Sequence, residues 1–134
     1  MAELIVGAKN SNLDEVLQFL DTELEKMGCS MKIQSQIDVA AEEIFVNISQ
    51  YAYDHDNGLV IVQIEDEGEE IMITFKDNGT PFNPLRHDDP DIKKKAEERE
   101  IGGLGIFMVK KMMNNVKYEY KDGSNILSFK KTVK

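Results

Sequence analysis

Leu4, Ile5 and Val6 form a short apolar, partly β-branched run closed by Gly7, which predicts a strand over residues 2–8. At Asn12 the period changes. Leu13, Val16, Leu17, Leu20, Leu24 and Met27 recur at helical spacing until Gly28 stops the run. Asn12 with Glu15 three residues on is a capping-box pattern for the start of that helix. A second helix carries Ile33, Ile37, Ala40, Ala41, Ile44, Phe45 and Ile48 and is expected to end near Tyr53, before the turn chemistry of His55-Asp56-Asn57-Gly58. The period then drops to two. Val60, Val62 and Ile64 alternate in one strand and Ile71, Ile73 and Phe75 in the next, with Glu67-Gly68-Glu69-Glu70 joining them as a hairpin.

Between Asp77 and Ile101 the pattern dissolves. Gly79, Pro81, Pro84 and Pro90 fall here, followed by the charged stretch Lys93 to Glu100, too polar for a core. A long segment of this kind inside a compact domain is usually a functional loop, and a lid over residues 80–103 is the expectation. Regular structure resumes with an amphipathic helix from Leu104 through Ile106, Phe107, Val109, Met112 and Met113. Val116, Tyr118 and Tyr120 alternate as a strand, Asp122-Gly123 turns, and Leu127 and Phe129 alternate in the last strand. The order β-α-α-β-β-lid-α-β-β, without repeat or linker, predicts a single α/β domain over residues 1–134: a two-layer sandwich whose largely antiparallel mixed sheet carries helices on one face.

Composition narrows the function classes. Hydrophobic residues at 41% and charged residues at 31% give a globular balance, and 134 residues suit one domain. Cys29 is the single cysteine, so no internal disulfide can form, which suits a reducing compartment. No basic segment followed by a long apolar run opens the chain, and no stretch approaches the roughly 20 apolar residues that span a bilayer. A cytoplasmic protein with no membrane partner is expected. The formal net charge of −9 argues against direct nucleic-acid binding, which depends on phosphate neutralisation by Lys and Arg.

Three segments carry candidate chemistry. Glu43 and Asn47 are four apart on a helix and share a face beside Ala40, Ile44 and Ile48. An Asn oxygen suits a magnesium ion that keeps several waters, and a carboxylate one turn earlier can take a proton from an attacking hydroxyl. Alone, the pair is a weak signal and reads more readily as a surface Glu and an ordinarily hydrogen-bonded Asn. In the second, counting by twos from Ile71 puts Asp77 on the buried face of its strand, where a carboxylate needs donors. The exocyclic amine of adenine is one, and Gly79 lets backbone approach a ring, although Asp-Asn-Gly is also a common strand-ending turn. In the third, Gly102, Gly103 and Gly105 sit at a helix start. Glycines are costly there unless backbone N–H groups meet phosphate oxygens, or unless the segment is a hinge. No Gly-Lys-Ser/Thr ending makes it a Walker loop.

Taken in order over residues 42–131, these segments resemble the ATPase superfamily of gyrase, heat-shock chaperones, mismatch-repair ATPases and histidine kinases. The sequence Asp77-Asn78-Gly79-Thr80-Pro81-Phe82-Asn83-Pro84, with Leu104-Gly105-Ile106-Phe107 and Asp122-Gly123-Ser124-Asn125, looks most similar to the anti-sigma factor serine/threonine kinases in that superfamily. The resemblance implies a Bergerat-type ATP-binding fold, with ATP and Mg2+ as cofactors. By the same resemblance Glu43 is the general base, Asn47 holds the metal, and Asp77 binds the adenine amine with Gly79 and Phe82 beside it. Gly102, Gly103, Leu104 and Gly105 then line the triphosphate, and Asn125 lies near adenine; strand parity agrees, since Asn125 points the same way as Leu127 and Phe129. The implied function is an anti-sigma regulatory factor that phosphorylates a small antagonist protein, binds a sigma factor and forms a homodimer.

This sequence departs from the family pattern in two places. Pro81 replaces a second glycine often found after Asp-x-Gly, and Glu100-Ile101 stand where a basic residue often precedes the glycines. Arg99, His87, Lys93, Lys94 and Lys95 can reach a γ-phosphate only if the lid folds over it; otherwise they form a solvated charged helix. A non-catalytic, ATP-binding regulatory module that sequesters a protein partner is therefore the alternative expectation.

Overall fold

The computed structural model describes residues 1–52, 58–86 and 103–133. Five strands form one sheet in the order β1-β2-β3-β5-β4, from β1 (Ala2–Gly7), β2 (Leu59–Asp66), β3 (Glu70–Asp77), β4 (Asn114–Lys121) and β5 (Ser124–Thr132). All four pairings among the described strands are antiparallel. Three helices, α1 (Leu13–Lys26), α2 (Met31–Asn47) and α3 (Gly103–Met112), pack against it, with α2 between the other two.

The alternation expected in the strands is what buries one face. Val60, Val62 and Ile64 of β2 and Ile71, Ile73 and Phe75 of β3 meet Leu20 and Leu24 of α1 and Ile37, Ile44 and Phe45 of α2 in a single core. Each such side chain contributes about 1.5–3 kcal/mol when removed from water. β3 lies at the centre of the sheet, so its last residue, Asp77, faces the core from a strand paired on both sides.

Local signals account for most boundaries. Gly28 adopts φ +75° after α1, and its N–H and that of Cys29 bond back to Glu25 and Leu24 at 3.0 and 3.1 Å, a Schellman stop. Asp122 and Gly123 both take positive φ (53° and 78°), the turn that matches strand twist in a two-residue hairpin between β4 and β5. The capping box at Asn12 does not form. A short 3-10 turn over Asn10–Asn12 leads straight into α1, and the Asn12 amide instead donates to the Gly7 carbonyl at 3.0 Å, holding the end of β1. The side-chain cap that does form is Ser30, whose hydroxyl accepts from the Ile33 N–H at 3.2 Å at the start of α2. Regular α-helix in α2 ends at Asn47, earlier than expected, and continues as a π-helical turn over Ile48–Ala52; Tyr53 lies outside the described residues.

Candidate functional site

At the C-terminal end of β3, three polar side chains converge on a small, narrow cleft whose walls are mostly apolar, among them Ile44, Phe75, Phe82 and Leu127. Asn47 enters from α2, Asp77 from β3 and Asn125 from β5, and all three are buried. Strand register explains why two of them meet: Asp77 and Asn125 are direct partners across the β3–β5 ladder. The Asn125 amide donates to Asp77 Oδ1 at 2.9 Å and to the Thr80 carbonyl at 3.0 Å. Its oxygen accepts from the Phe82 N–H at 3.1 Å and from the Tyr118 hydroxyl. The chain after Asp77 is thus tied to β5 by Asn125 and also by Ser124, whose hydroxyl donates to Asn78 Oδ1 at 2.6 Å. Asp77 Oδ1 takes a second bond from the Gly79 N–H at 2.9 Å, an Asx-type turn that bends the chain away from the strand.

Burial raises the Asp77 carboxyl above its ordinary range, and the two N–H donors pull it back. Among the described residues no hydrogen bond engages Oδ2, which leaves an acceptor for a ligand donor at the cleft.

On α2 the expected face is present. Asn47 Nδ2 donates to Glu43 Oε1 at 3.1 Å, so the pair acts as one unit with Asn47 lining the cleft and Glu43 half-buried beside it. Glu43 is also held above its ordinary value, by burial first and by the charge of Glu42 last, against the pull of the Asn47 amide. A carboxylate raised in this way is a better proton acceptor than an exposed one. With Nδ2 on Glu43, the Asn47 oxygen has no hydrogen bond among the described residues and is the atom left for a hard cation.

The residues 6–131 match the histidine kinase-like ATPase domain family. The chain belongs to that family. A serine-protein kinase RsbW of Listeria monocytogenes is 26% identical over 110 residues, which cover 78% of this ATPase domain and 70% of that protein. The protein of the same name from Bacillus cereus is 28% identical over 109 residues, covering 78% and 68%. A crystal structure of the RsbU and RsbW domains of a Mycobacterium tuberculosis protein has a TM-score of 0.66 at 14% identity, over 99% of this chain and 33% of that one. This chain thus spans a third of that protein's length, and at such identity the likeness is one of fold.

The ATPase domain places the sequence-based candidates as follows. Asn47, Asp77, Phe82 and Asn125 line one cleft, Glu43 adjoins it through Asn47, and Gly79 turns the chain at its rim. Gly103, Leu104 and Gly105 form the first turn of α3, while Gly102 lies outside the described residues, as do His87, Lys93, Lys94, Lys95 and Arg99. No Lys or Arg is among the described residues lining the cleft. Among those residues no helix is long and apolar enough to cross a membrane. Sequence reasoning missed Tyr118, which it treated only as an alternating strand residue. The signal was available: a two-residue turn at Asp122-Gly123 pairs Tyr120 with Asn125 and Tyr118 with Leu127, which brings the Tyr118 ring over the cleft.

Proposed function

We propose that this ATPase domain is an ATP-dependent serine/threonine protein kinase that regulates a sigma factor by phosphorylating a small antagonist protein. The observation that carries the reading is the bonded pair Glu43–Asn47 opening onto the same cleft as Asp77. Within that cleft Asp77 offers an acceptor for an adenine amine and Asn47 a neutral oxygen ligand, with Glu43 bonded to Asn47 beside the cleft as the proton acceptor. The similarity to serine-protein kinases RsbW supports the choice of a protein hydroxyl as acceptor.

In this reading the base sits between Phe82, Phe75 and Leu127, with its amine on Asp77 Oδ2. The triphosphate runs toward the N-terminus of α3, where the N–H groups of the first turn are free of intrahelical partners. Residues 80–103 act as the lid. Asn47 Oδ1 would be the protein ligand of a magnesium ion. When bound, that ion neutralises phosphate charge. Glu43 takes the proton of the acceptor hydroxyl as its oxygen bonds to the γ-phosphorus. The bond to the β–γ bridging oxygen breaks, and ADP leaves with that electron pair. A homodimer belongs to the same proposal, and light scattering of the purified chain tests it.

The test is transfer of labelled γ-phosphate to co-purified partners. Glu43→Gln is expected to lower the transfer rate about 10²–10⁴-fold while ADP affinity holds. Equal rates in the two proteins would remove Glu43 from the chemistry. The absence of Lys and Arg from the described cleft lining favours a second reading, a non-catalytic ATP-binding module that sequesters a partner. Stable nucleotide and partner binding without label transfer selects it.

A further inference from the structure

We propose that Tyr118 is a positioning residue for base selection: acting through Asn125, it holds the Asp77 carboxylate as a pure acceptor and so favours a 6-amino purine over a 6-oxo purine. The inference rests on reading the cleft as the nucleotide site, and it assigns a role to a side chain outside the three motifs.

The orientation of the Asn125 amide is fixed by groups that cannot reverse their roles. The Phe82 N–H can only donate and the Thr80 carbonyl can only accept. Oxygen therefore faces Phe82 and Tyr118, and nitrogen faces Asp77 and Thr80. Both N–H groups are then used, at 2.9 and 3.0 Å, and the oxygen accepts twice. Asn125 has no capacity left for a ligand. Its contribution to recognition passes through Asp77, where its N–H sits on Oδ1 and leaves Oδ2 for the base.

An ionised Oδ2 can only accept. It suits the amine at position 6 of adenine and is repelled by the carbonyl oxygen at that position in guanine; a protonated carboxyl would reverse the preference. Burial works toward protonation of Asp77, and the Asn125 N–H works against it. Tyr118 strengthens the Asn125 side of that balance. Its hydroxyl donates to the amide oxygen, which polarises the amide and makes the opposite N–H a better donor. It also removes one freedom of the side chain that pins Thr80 and Phe82. The half-buried ring lines the cleft from β4, a strand that contributes none of the three motifs.

The test titrates ADP and GDP calorimetrically, with magnesium, into the full 134-residue chain as wild type, Tyr118→Phe and Asp77→Asn. Tyr118→Phe keeps the ring and removes the one hydroxyl, so its melting temperature should stay close to that of wild type. The ADP-over-GDP preference is expected to fall about three- to tenfold, the worth of one hydrogen bond acting on the base. In Asp77→Asn the preference should collapse further. An unchanged preference in Tyr118→Phe, or an equal loss for both nucleotides, overturns the role of Tyr118, while a collapse in Asp77→Asn leaves the cleft reading standing. Indifference of both affinities to Asp77→Asn overturns the cleft reading and this proposal with it.

Discussion

Asp77 and Asp38 are both drawn out of water, yet their surroundings differ in kind. Asp77, at the end of the central strand, meets two N–H donors on one oxygen and keeps the other for the cleft. Asp38, on α2, meets Asp21 of α1, and Oδ1 of each is buried without a hydrogen-bond partner. Desolvation raises both carboxyls. At Asp77 the donors oppose the rise; at Asp38 the second carboxyl adds to it, and the group is pushed up to about 7. Burial alone therefore does not tell what a carboxylate is for. The partners decide: donors keep a charge available to a ligand, and a second carboxyl keeps a proton in place between two helices.

The contrast can be broken most strongly at Asp77. Asp77→Asn retains an oxygen for the Gly79 and Asn125 N–H groups, so the fold should persist. A hydrogen bond to a charged group is lost from the cleft, however, and ADP affinity is expected to fall about ten- to a hundredfold by calorimetry. A lowered melting temperature with ADP affinity intact would mean that Asp77 is a structural carboxylate like Asp38.

At Asp38 the effect should appear in stability. Its carboxyl binds a proton more tightly in the folded chain, at about 7, than at the ordinary 3.8 of an unfolded one. Between those values the folded state holds the extra proton, so its contribution is full below about 3.8 and is lost as pH rises through about 7. Asp38→Asn should flatten that decline in urea unfolding and stabilise the chain at pH 8. A slope that survives the substitution removes the pair as its source.

The smallest effect is expected where one site is turned into the other. Asp21→Asn gives Asp38 an amide donor, as Asn125 gives one to Asp77. Carboxyl titration by NMR should then find Asp38 lower than in the parent, while melting changes by only a few degrees. No change in the Asp38 titration would show that desolvation acts there without its neighbour.

How much of this was legible in the sequence depended on the range of the interaction. Period-two counting placed Asp77 and Asn125 on the inner face because each lies on the same strand as the apolar residues that set the parity, Ile71 to Phe75 and Leu127 with Phe129. Four-residue spacing likewise put Glu43 and Asn47 together. The Tyr118 bond needed the hairpin register to be worked out as well as its alternation. Nothing local announces Asp21 against Asp38, because their meeting is set by how α1 crosses α2. The Asn12 cap failed for a related reason: its amide was claimed by Gly7, a contact across the turn from strand to helix that competes with capping.

The π-helical turn over Ile48–Ala52 has a consequence for how this chain tolerates changes of length. Each residue of an α-helix advances its face by about 100°, so one residue deleted between Ser30 and Asn47 would swing Glu43 and Asn47 away from the cleft. The wider turn begins immediately after Asn47, where the helix has already lost its phase, and it is moored by the Ser49 hydroxyl to Asn10 at 2.6 Å and to the Val46 carbonyl at 2.9 Å. The segment whose length is fixed thus extends beyond Asn47 to the mooring at Ser49, two residues further on.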